Sequence, residues 1–220
     1  MTSTRSSVAG SRRAACTPAL LAAAACALAP APFALAQGQP GSAAPAAPTL
    51  YSPDSDPYFA EPYIDVDEWR DGPVRHRYVH GGFKGTNTRF SFYFPPREQY
   101  RGRFFQHITP VPDSENLAQA MPEGPFNKIG STLAAGAYFV ETNGGGGIDL
   151  SRGTLAVADP TITAYRANAA AAAYSRKVAL QMYGGKRPYG YAYGGSGGGF
   201  RTIGSIENTT GVWDGVVPYV

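Results

Sequence analysis

Cysteine is almost absent from this chain, and that absence limits what it can be. Cys16 and Cys26 are the only two cysteines in 220 residues, and both lie close to the start. The remaining sequence can form neither a disulfide framework nor a thiolate metal site. Small disulfide-stabilised scaffolds and cysteine-ligated zinc proteins are therefore excluded.

Long apolar runs are also missing. The longest stretch of this kind, Leu20–Leu28, is shorter than the ~20 residues that a membrane-spanning helix needs. It follows a stretch with three arginines and precedes the small-x-small pattern of residues 34–36, which is typical of a signal-peptidase site. We predict a signal peptide over residues 1–36 with cleavage after Ala36, a secreted or periplasmic protein, and no membrane span. The export route, Sec or twin-arginine, stays open.

The excess positive charge of the chain is removed together with the predicted signal peptide. Its three arginines are accompanied by no acid, so the net charge falls from +3 to zero on cleavage. A neutral chain has no electrostatic attraction to nucleic acid or anionic lipid, and we predict neither as a partner. Residues 37–57 are rich in Pro, Ala, Ser and Gly and cannot bury a core, which indicates a tether before a folded domain at 58–220.

Strand-like and helix-like segments alternate along the folded part. A hairpin comes first, and single strands then alternate with helices, which predicts an α/β fold with a mostly parallel sheet and helices on both faces. The predicted strands are 75–83, 88–94, 102–109, 136–142, 189–193 and 212–220. The predicted helices are 126–134, 159–183 and a third that starts just after Ser196; Asp159 and Pro160 supply the N-cap and first position of the second.

The segment Tyr189–Phe200 carries the strongest functional pattern. An aromatic strand is followed by Gly-Gly-Ser-Gly-Gly and a helix start, which is the order that a nucleophile elbow requires, with Ser196 exposed at the tip. Gly194, Gly195 and Gly198 flank it because Cβ atoms at 194 and 198 would collide with the crossing strand and helix. The alternatives are a glycine-rich turn that merely contains serine, and a phosphate cradle, although neither Gly-x-Gly-x-x-Gly nor Gly-Lys-Ser/Thr fits here.

No histidine follows Ser196, so this sequence does not supply the usual partners of a nucleophilic serine. Glu207 lies in the elbow helix and Asp214 begins the sixth strand at the far end of the sheet, which makes both unsuitable as the triad acid. His107, at the carboxyl end of the third strand, is a candidate for the pocket or the base, with a structural role as the alternative. His76 and His80 are interpreted as surface or cross-strand residues.

Two further features resemble ion sites only superficially. The acidic stretch between Asp54 and Glu68, expected to precede the first strand, lacks the central glycine of a calcium loop. Gly144–Gly147 is interpreted as a flexible loop after the fourth strand. We therefore predict no metal and no cofactor.

Beyond the elbow, several short motifs resemble one family. They occur at Tyr100–Phe104, Gly136–Val140, Tyr165–Ala167, Tyr183–Gly184 and Trp213–Val216, in the order found in the tannase and feruloyl esterase branch of the α/β-hydrolases. The resemblance runs from about Arg75 onward and covers the first two-thirds of that fold. One departure is Gly195, because the branch typically has a disulfide-forming cysteine at that position.

The resemblance implies a specific chemistry. Ser196 would attack the carbonyl of a small-molecule ester, and the N–H groups of Gly197 and of Thr109, in the loop after the third strand, would bind the oxyanion. Pro110 in that loop has no N–H to donate. We expect the acid and the histidine downstream, in a longer protein of which this chain is a truncated part. The alternative is a non-catalytic remnant that binds a ligand, or one completed by a complementary chain.

Overall fold

A mixed seven-stranded sheet organises the part of the chain that the computed structural model describes, which is residues 49–146, 148–149, 154–155 and 159–220. The predicted signal peptide and most of the predicted tether, residues 1–48, lie outside the described residues. The strands of this sheet are β1 (Pro62–Arg70), β2 (His76–Phe83), β3 (Arg89–Phe94), β4 (Arg103–His107), β5 (Ala137–Thr142), β8 (Tyr189–Gly195) and β9 (Gly215–Tyr219), and β6 (Ile148–Asp149) pairs with β7 (Thr154–Leu155) in a separate two-stranded ribbon.

The sheet has an antiparallel half and a parallel half. The strand order is β1-β2-β3-β5-β4-β8-β9. The pairs β1–β2, β2–β3 and β3–β5 are antiparallel, whereas β5–β4, β4–β8 and β8–β9 are parallel. The carboxyl ends of β5, β4, β8 and β9 therefore meet at one edge, where α/β proteins build their sites. The predicted α/β class is confirmed, but the sheet is mixed rather than mostly parallel, because β1, β2 and β3 form an antiparallel series that joins β5.

Three helices cover the two faces of the sheet. They are α1 (Lys128–Ala134), α2 (Ala167–Tyr183) and α3 (Gly197–Asn208), and a π-helical turn, Ile162–Arg166, leads into α2. The carboxylate of Asp159 accepts hydrogen bonds from the N–H and hydroxyl of Thr161, as predicted for the cap of this helix. Single 3-10 turns lie at Pro53–Ser55, Pro57–Phe59, Leu117–Ala120 and Gly124–Phe126. Among the described residues, every helix is too short or too polar to cross a membrane.

The core lies on both sides of the central strands. On β3, Phe90, Phe92 and Phe94 pack into the layer beneath α2 and α3, while Tyr93 points to the layer beneath α1. All four side chains are fully buried. Aromatic residues at strand spacing are therefore core residues here, and their burial fixes the register of β3 because a one-residue slip would exchange the two faces.

The acidic stretch was expected to precede the first strand, and this expectation is wrong for its second half. Residues 62–70 form β1, an edge strand in which only one side meets the sheet. Asp67 accepts two hydrogen bonds from the Arg77 guanidinium on β2, at 2.6 and 2.7 Å. Charged side chains are common on edge strands because they discourage pairing with another chain.

The folded domain begins earlier than residue 58. Tyr51 forms a β-bridge with Thr209, and its hydroxyl donates to the buried Asp56 carboxylate at 2.7 Å. Arg166 donates to the same carboxylate through Nε and Nη2. The end of the predicted tether, from Tyr51 onward, is therefore packed onto the domain through an ion pair that composition alone does not reveal.

The two histidines of β2 differ from each other. His80 makes the predicted cross-strand contact, since its Nδ1 lies 2.5 Å from Asp65 on β1 and its Nε2 lies 3.2 Å from Glu115. His76 is only 1% exposed, so the surface alternative is wrong for it, and the cross-strand alternative holds because its ring lies 5.5 Å from that of Tyr93 on β3. The side chain of His76 is buried because residues 119–127 lie beside the amino end of β2.

Candidate active site at the Ser196 turn

Ser196 occupies the turn between β8 and α3. Its φ of 54° and ψ of −122° make it the only non-glycine residue with positive φ in the described part of the chain. Its side chain is exposed, and its N–H donates to the Tyr219 carbonyl at 2.9 Å. Such a conformation is costly for a residue with a Cβ and persists only where its surroundings hold it. The predicted strand, sharp turn and helix are therefore present.

Glycines allow the turn to pack against neighbouring backbone. A Cβ at Gly194 would lie 2.6 Å from the carbonyl oxygens of Ile108 and Gly198, and a Cβ at Gly198 would lie closer still to Ile108. Both contacts are shorter than real Cβ contacts, and the atoms they meet are backbone. The collision predicted from the sequence for these two positions is confirmed.

The loop after β4 lies directly against the start of α3. The N–H of Ile108 donates to the Tyr193 carbonyl at 2.8 Å, and the Cβ position of Gly197 lies 2.9 Å from the Pro110 carbonyl oxygen. Gly197 is the first residue of α3, so its N–H is not used inside the helix. Among the described residues, neither this N–H nor that of Thr109 has an acceptor. The two donors proposed for the oxyanion thus lie on segments in contact, and one of them, Gly197, is at the positive end of α3.

Arg201 holds this arrangement together, although sequence reasoning did not single it out. Its side chain is 7% exposed, and Nη1 donates to the Thr109 carbonyl at 2.7 Å while Nε donates to the Thr163 carbonyl at 3.0 Å. Burial lowers its pKa to about 10, so it remains a cation at neutral pH. One guanidinium therefore ties α3, the loop after β4 and the π-helical turn together. An arginine five residues after the serine, on the buried side of a helix, was the available signal.

His107 lies at the carboxyl end of β4, as predicted, with its ring 5.3 Å from that of Tyr193. Burial, together with the nearby Lys128, lowers its pKa to about 4, against the opposing effect of Asp113. The ring is therefore neutral at pH 7. No hydrogen bond joins the Ser196 hydroxyl to a histidine within the described residues, so the structure does not bring these two predicted site residues together.

Asp214 has a structural position at the opposite end of the sheet, as predicted. Its carboxylate accepts from the Gly190 N–H at 2.7 Å and from the guanidinium groups of Arg176 and Arg187. It thereby joins the start of β8 to the start of β9. Glu207 is exposed in α3.

Gly195 has a local reason to be glycine. A Cβ there would lie 2.5 Å from the Tyr219 ring, which covers this side of the turn. The aromatic side chain thus occupies the space beside position 195. Val217 and Tyr219 pair with Tyr193 and Gly195 across β8 and β9, so this contact follows from the strand register.

The glycine loop after β5 satisfies its own hydrogen bonds. The N–H of Gly144 donates to the Thr142 hydroxyl, and that of Gly145 donates to the Asn143 side chain. Gly147 lies outside the described residues. Within those residues, no group of three or more His, Cys, Asp or Glu side chains could hold a metal ion.

The mixed sheet, the flanking helices and the serine turn at the carboxyl edge together define the α/β-hydrolase fold. Tannin acyl hydrolase from Aspergillus niger is similar to this chain with a TM-score of 0.52 and 17% identity, over 76% of this chain and 34% of that one. Candida antarctica lipase A in its closed state gives a TM-score of 0.43 at 12% identity, over 70% and 42% of the two chains. An aminopeptidase from a marine sediment Thaumarchaeota archaeon gives 0.34 at 16% identity, over 81% and 28%.

The chain spans about a third of the length of the tannin acyl hydrolase that it resembles. No protein-family model and no curated protein matches the sequence. The likeness to solved structures is a likeness of fold.

Proposed function

We propose that this chain is the nucleophile-bearing part of an exported serine hydrolase that cleaves carboxylic esters of small molecules. The observation that carries the proposal is the turn at Ser196, where a strained, exposed serine stands between a parallel strand and a helix N-terminus. The fold shared with a tannin acyl hydrolase supports it. Export is proposed from the signal pattern of residues 1–36.

In the proposed reaction the Ser196 hydroxyl loses its proton to a general base as its oxygen attacks the ester carbonyl. The carbonyl oxygen becomes an oxyanion that accepts hydrogen bonds from the N–H groups of Gly197 and Thr109. As this intermediate collapses, the base returns the proton to the leaving oxygen and the alcohol departs. The same base then takes a proton from water, which attacks the acyl-enzyme, and the collapse of the second intermediate releases the acid and restores the Ser196 hydroxyl. Arg201 serves as a positioning residue because it bonds the Thr109 carbonyl.

The base and its acid are proposed to come from polypeptide outside the described residues, either from a further part of a longer protein or from a complementary chain. The short coverage of the tannin acyl hydrolase supports this arrangement. His107 is a weak candidate, since a pKa of about 4 makes it a poor proton acceptor at neutral pH.

A ligand-binding protein without catalysis is the second candidate. The observation in its favour is that Ser196 lacks a histidine partner among the described residues. A serine with an intact oxyanion site but no base retains only a small part of the rate of the complete machinery.

Replacement of the nucleophile tests the proposal. In the full-length protein, Ser196→Ala should lower ester turnover by roughly 10⁴-fold or more and abolish covalent labelling by a fluorophosphonate, because the probe needs the serine oxygen. Ser131→Ala, which removes an exposed hydroxyl on α1, is the matched control and should label like the wild type. Labelling that survives in Ser196→Ala would remove this residue from the role, and a wild type that neither labels nor turns over ester would favour the binding candidate.

A further inference from the structure

The loop that follows β4 has little backbone support of its own. The N–H of Ile108 donates to a carbonyl of β8 at one end of the loop, and the N–H of Asp113 donates to the loop after β5 at the other. Between these two bonds, residues 109–112 make no hydrogen bond from backbone to backbone among the described residues. Pro110 has no N–H with which to make one. This part of the loop therefore depends on side chains for its conformation.

The hydroxyl of Thr109 supplies part of that support. The residue is 7% exposed, and its Oγ1 donates to the Val111 carbonyl at 2.5 Å, across Pro110. The same oxygen lies 3.3 Å from Nη1 of Arg201, which also donates to the Thr109 carbonyl at 2.7 Å. Because a guanidinium only donates, the hydroxyl accepts from Arg201 and directs its own proton to Val111. The side chain thus closes a short turn, as threonine often does with nearby backbone.

This turn restricts the direction of the Thr109 N–H. A rotation of the Thr109 backbone would move its carbonyl away from Arg201, its hydroxyl away from Val111, or both. Pro110 limits the same backbone further, because the proline ring collides with a preceding residue in the helical region and favours an extended one. The N–H has no acceptor among the described residues, so its direction depends on these contacts.

We propose that the Thr109 hydroxyl is a positioning group of the candidate active site, which holds the Thr109 N–H in the direction of the oxyanion. The inference rests on the proposed function, since the oxyanion forms only if Ser196 attacks an ester. The hydroxyl acts through the backbone of its own residue and not on the substrate directly. A hydrogen bond weakens steeply once its donor is misaligned, and complete loss of one oxyanion donor lowers kcat by roughly 10²–10³-fold. A donor that is present but misdirected should therefore cost less than this.

Thr109→Val tests this inference, because valine keeps the branched shape and the N–H and removes only the hydroxyl. In the full-length protein, with p-nitrophenyl acetate as substrate, Thr109→Val should lower kcat by roughly tenfold and change KM by less than about twofold, since the oxyanion develops in the transition state and not in the bound ester. Thr109→Ser restores a hydroxyl and should recover most of the lost kcat. Thr109→Ala should lose kcat as Thr109→Val does, which keeps the test decisive if valine prevents folding.

Thr209, just after the end of α3, provides the matched control. It is 6% exposed and its hydroxyl donates to the Ser205 carbonyl at 2.7 Å, so Thr209→Val removes the same kind of bond at the other end of the helix. This variant should lose stability to a similar extent and keep kcat within about twofold of the wild type. An active wild type combined with an unchanged kcat in Thr109→Val, no recovery in Thr109→Ser, or an equal loss in Thr209→Val would overturn this inference alone. A wild type that neither turns over ester nor labels with a fluorophosphonate would overturn the proposed function and this inference with it.

Discussion

Glu141 shows how one residue can depart from its sequence pattern. It lies near the end of β5 and is 2% exposed, beneath the layer that contains α1. The Tyr93 hydroxyl and the Ala118 N–H donate to its two carboxylate oxygens at 2.7 and 3.0 Å. The effect of burial is larger than that of these two hydrogen bonds and raises the pKa of Glu141 to about 8. The free energy lost when a carboxylate leaves water exceeds what the two hydrogen bonds contribute.

This shift predicts a pH-dependent contribution to stability. Between the ordinary glutamate value of 4.5 and about 8, the folded state holds a proton that the unfolded state has released, so the contribution of Glu141 is full below pH 4.5 and declines as pH rises. The free energy of unfolding of the wild type minus that of Glu141→Gln should therefore fall by about 2 kcal/mol or more from pH 5 to pH 8. Urea denaturation at both pH values measures it.

The exposed Glu207 provides the control for that measurement. In Glu207→Gln the corresponding difference should stay constant within about 0.5 kcal/mol. A difference for Glu141→Gln that does not vary with pH would show that the buried carboxyl keeps its ordinary pKa.

At the scale of elements, two of the four glycines in α3 have opposite roles. The Cβ position of Gly198 collides with the Ile108 carbonyl, whereas that of Gly204, six residues later, meets nothing within 4 Å. Gly198→Ala should destabilise the fold by roughly 2–4 kcal/mol because backbone must move. Gly204→Ala should stabilise it by about 0.5–1 kcal/mol because alanine loses less backbone freedom in a helix. Thermal or chemical denaturation measures both, and equal effects would argue against the close crossing of α3 and the loop after β4.

Elements with a regular pattern were predictable, and elements defined by distant partners were not. The alternation of Phe90, Phe92 and Phe94 indicates β3. Asp159 and Pro160 indicate the start of the helical segment that leads into α2. Both signals are local in the sequence. β1 was missed because its acids resemble a loop, and only pairing with β2 makes it a strand. The same division holds in the site: the Ser196 turn is contiguous in sequence, but Arg201 acts on Thr109 and Thr163, 92 and 38 residues away.

At the scale of the whole molecule, β9 forms one edge of the seven-stranded sheet that the described residues build. Val217 at its centre is 59% exposed, and its neighbour Tyr219 is also exposed. An apolar edge strand is a template for pairing with a second chain. We expect residues 1–220, prepared on their own, to self-associate in solution, and Val217→Lys to lower the associated fraction several-fold, because a charge at an edge opposes pairing.

Sedimentation velocity over a range of concentrations measures this association. Ile203→Lys adds the same charge at an exposed position on α3 and should leave association unchanged. A wild type that is monomeric at all concentrations, or an equal effect of the two lysines, would show that β9 is not the contact.

The Tyr219 ring beside Gly195 holds the serine turn without a covalent cross-link. Positions 27–220 contain no cysteine, so no disulfide between them can hold the serine turn. The turn is held instead by the contact with the Tyr219 ring and by the hydrogen bond from the Ser196 N–H to the Tyr219 carbonyl. Such a brace forms as soon as β9 pairs with β8 and requires no oxidant or disulfide isomerase. The geometry of this turn is therefore indifferent to the redox state of the compartment in which the chain folds.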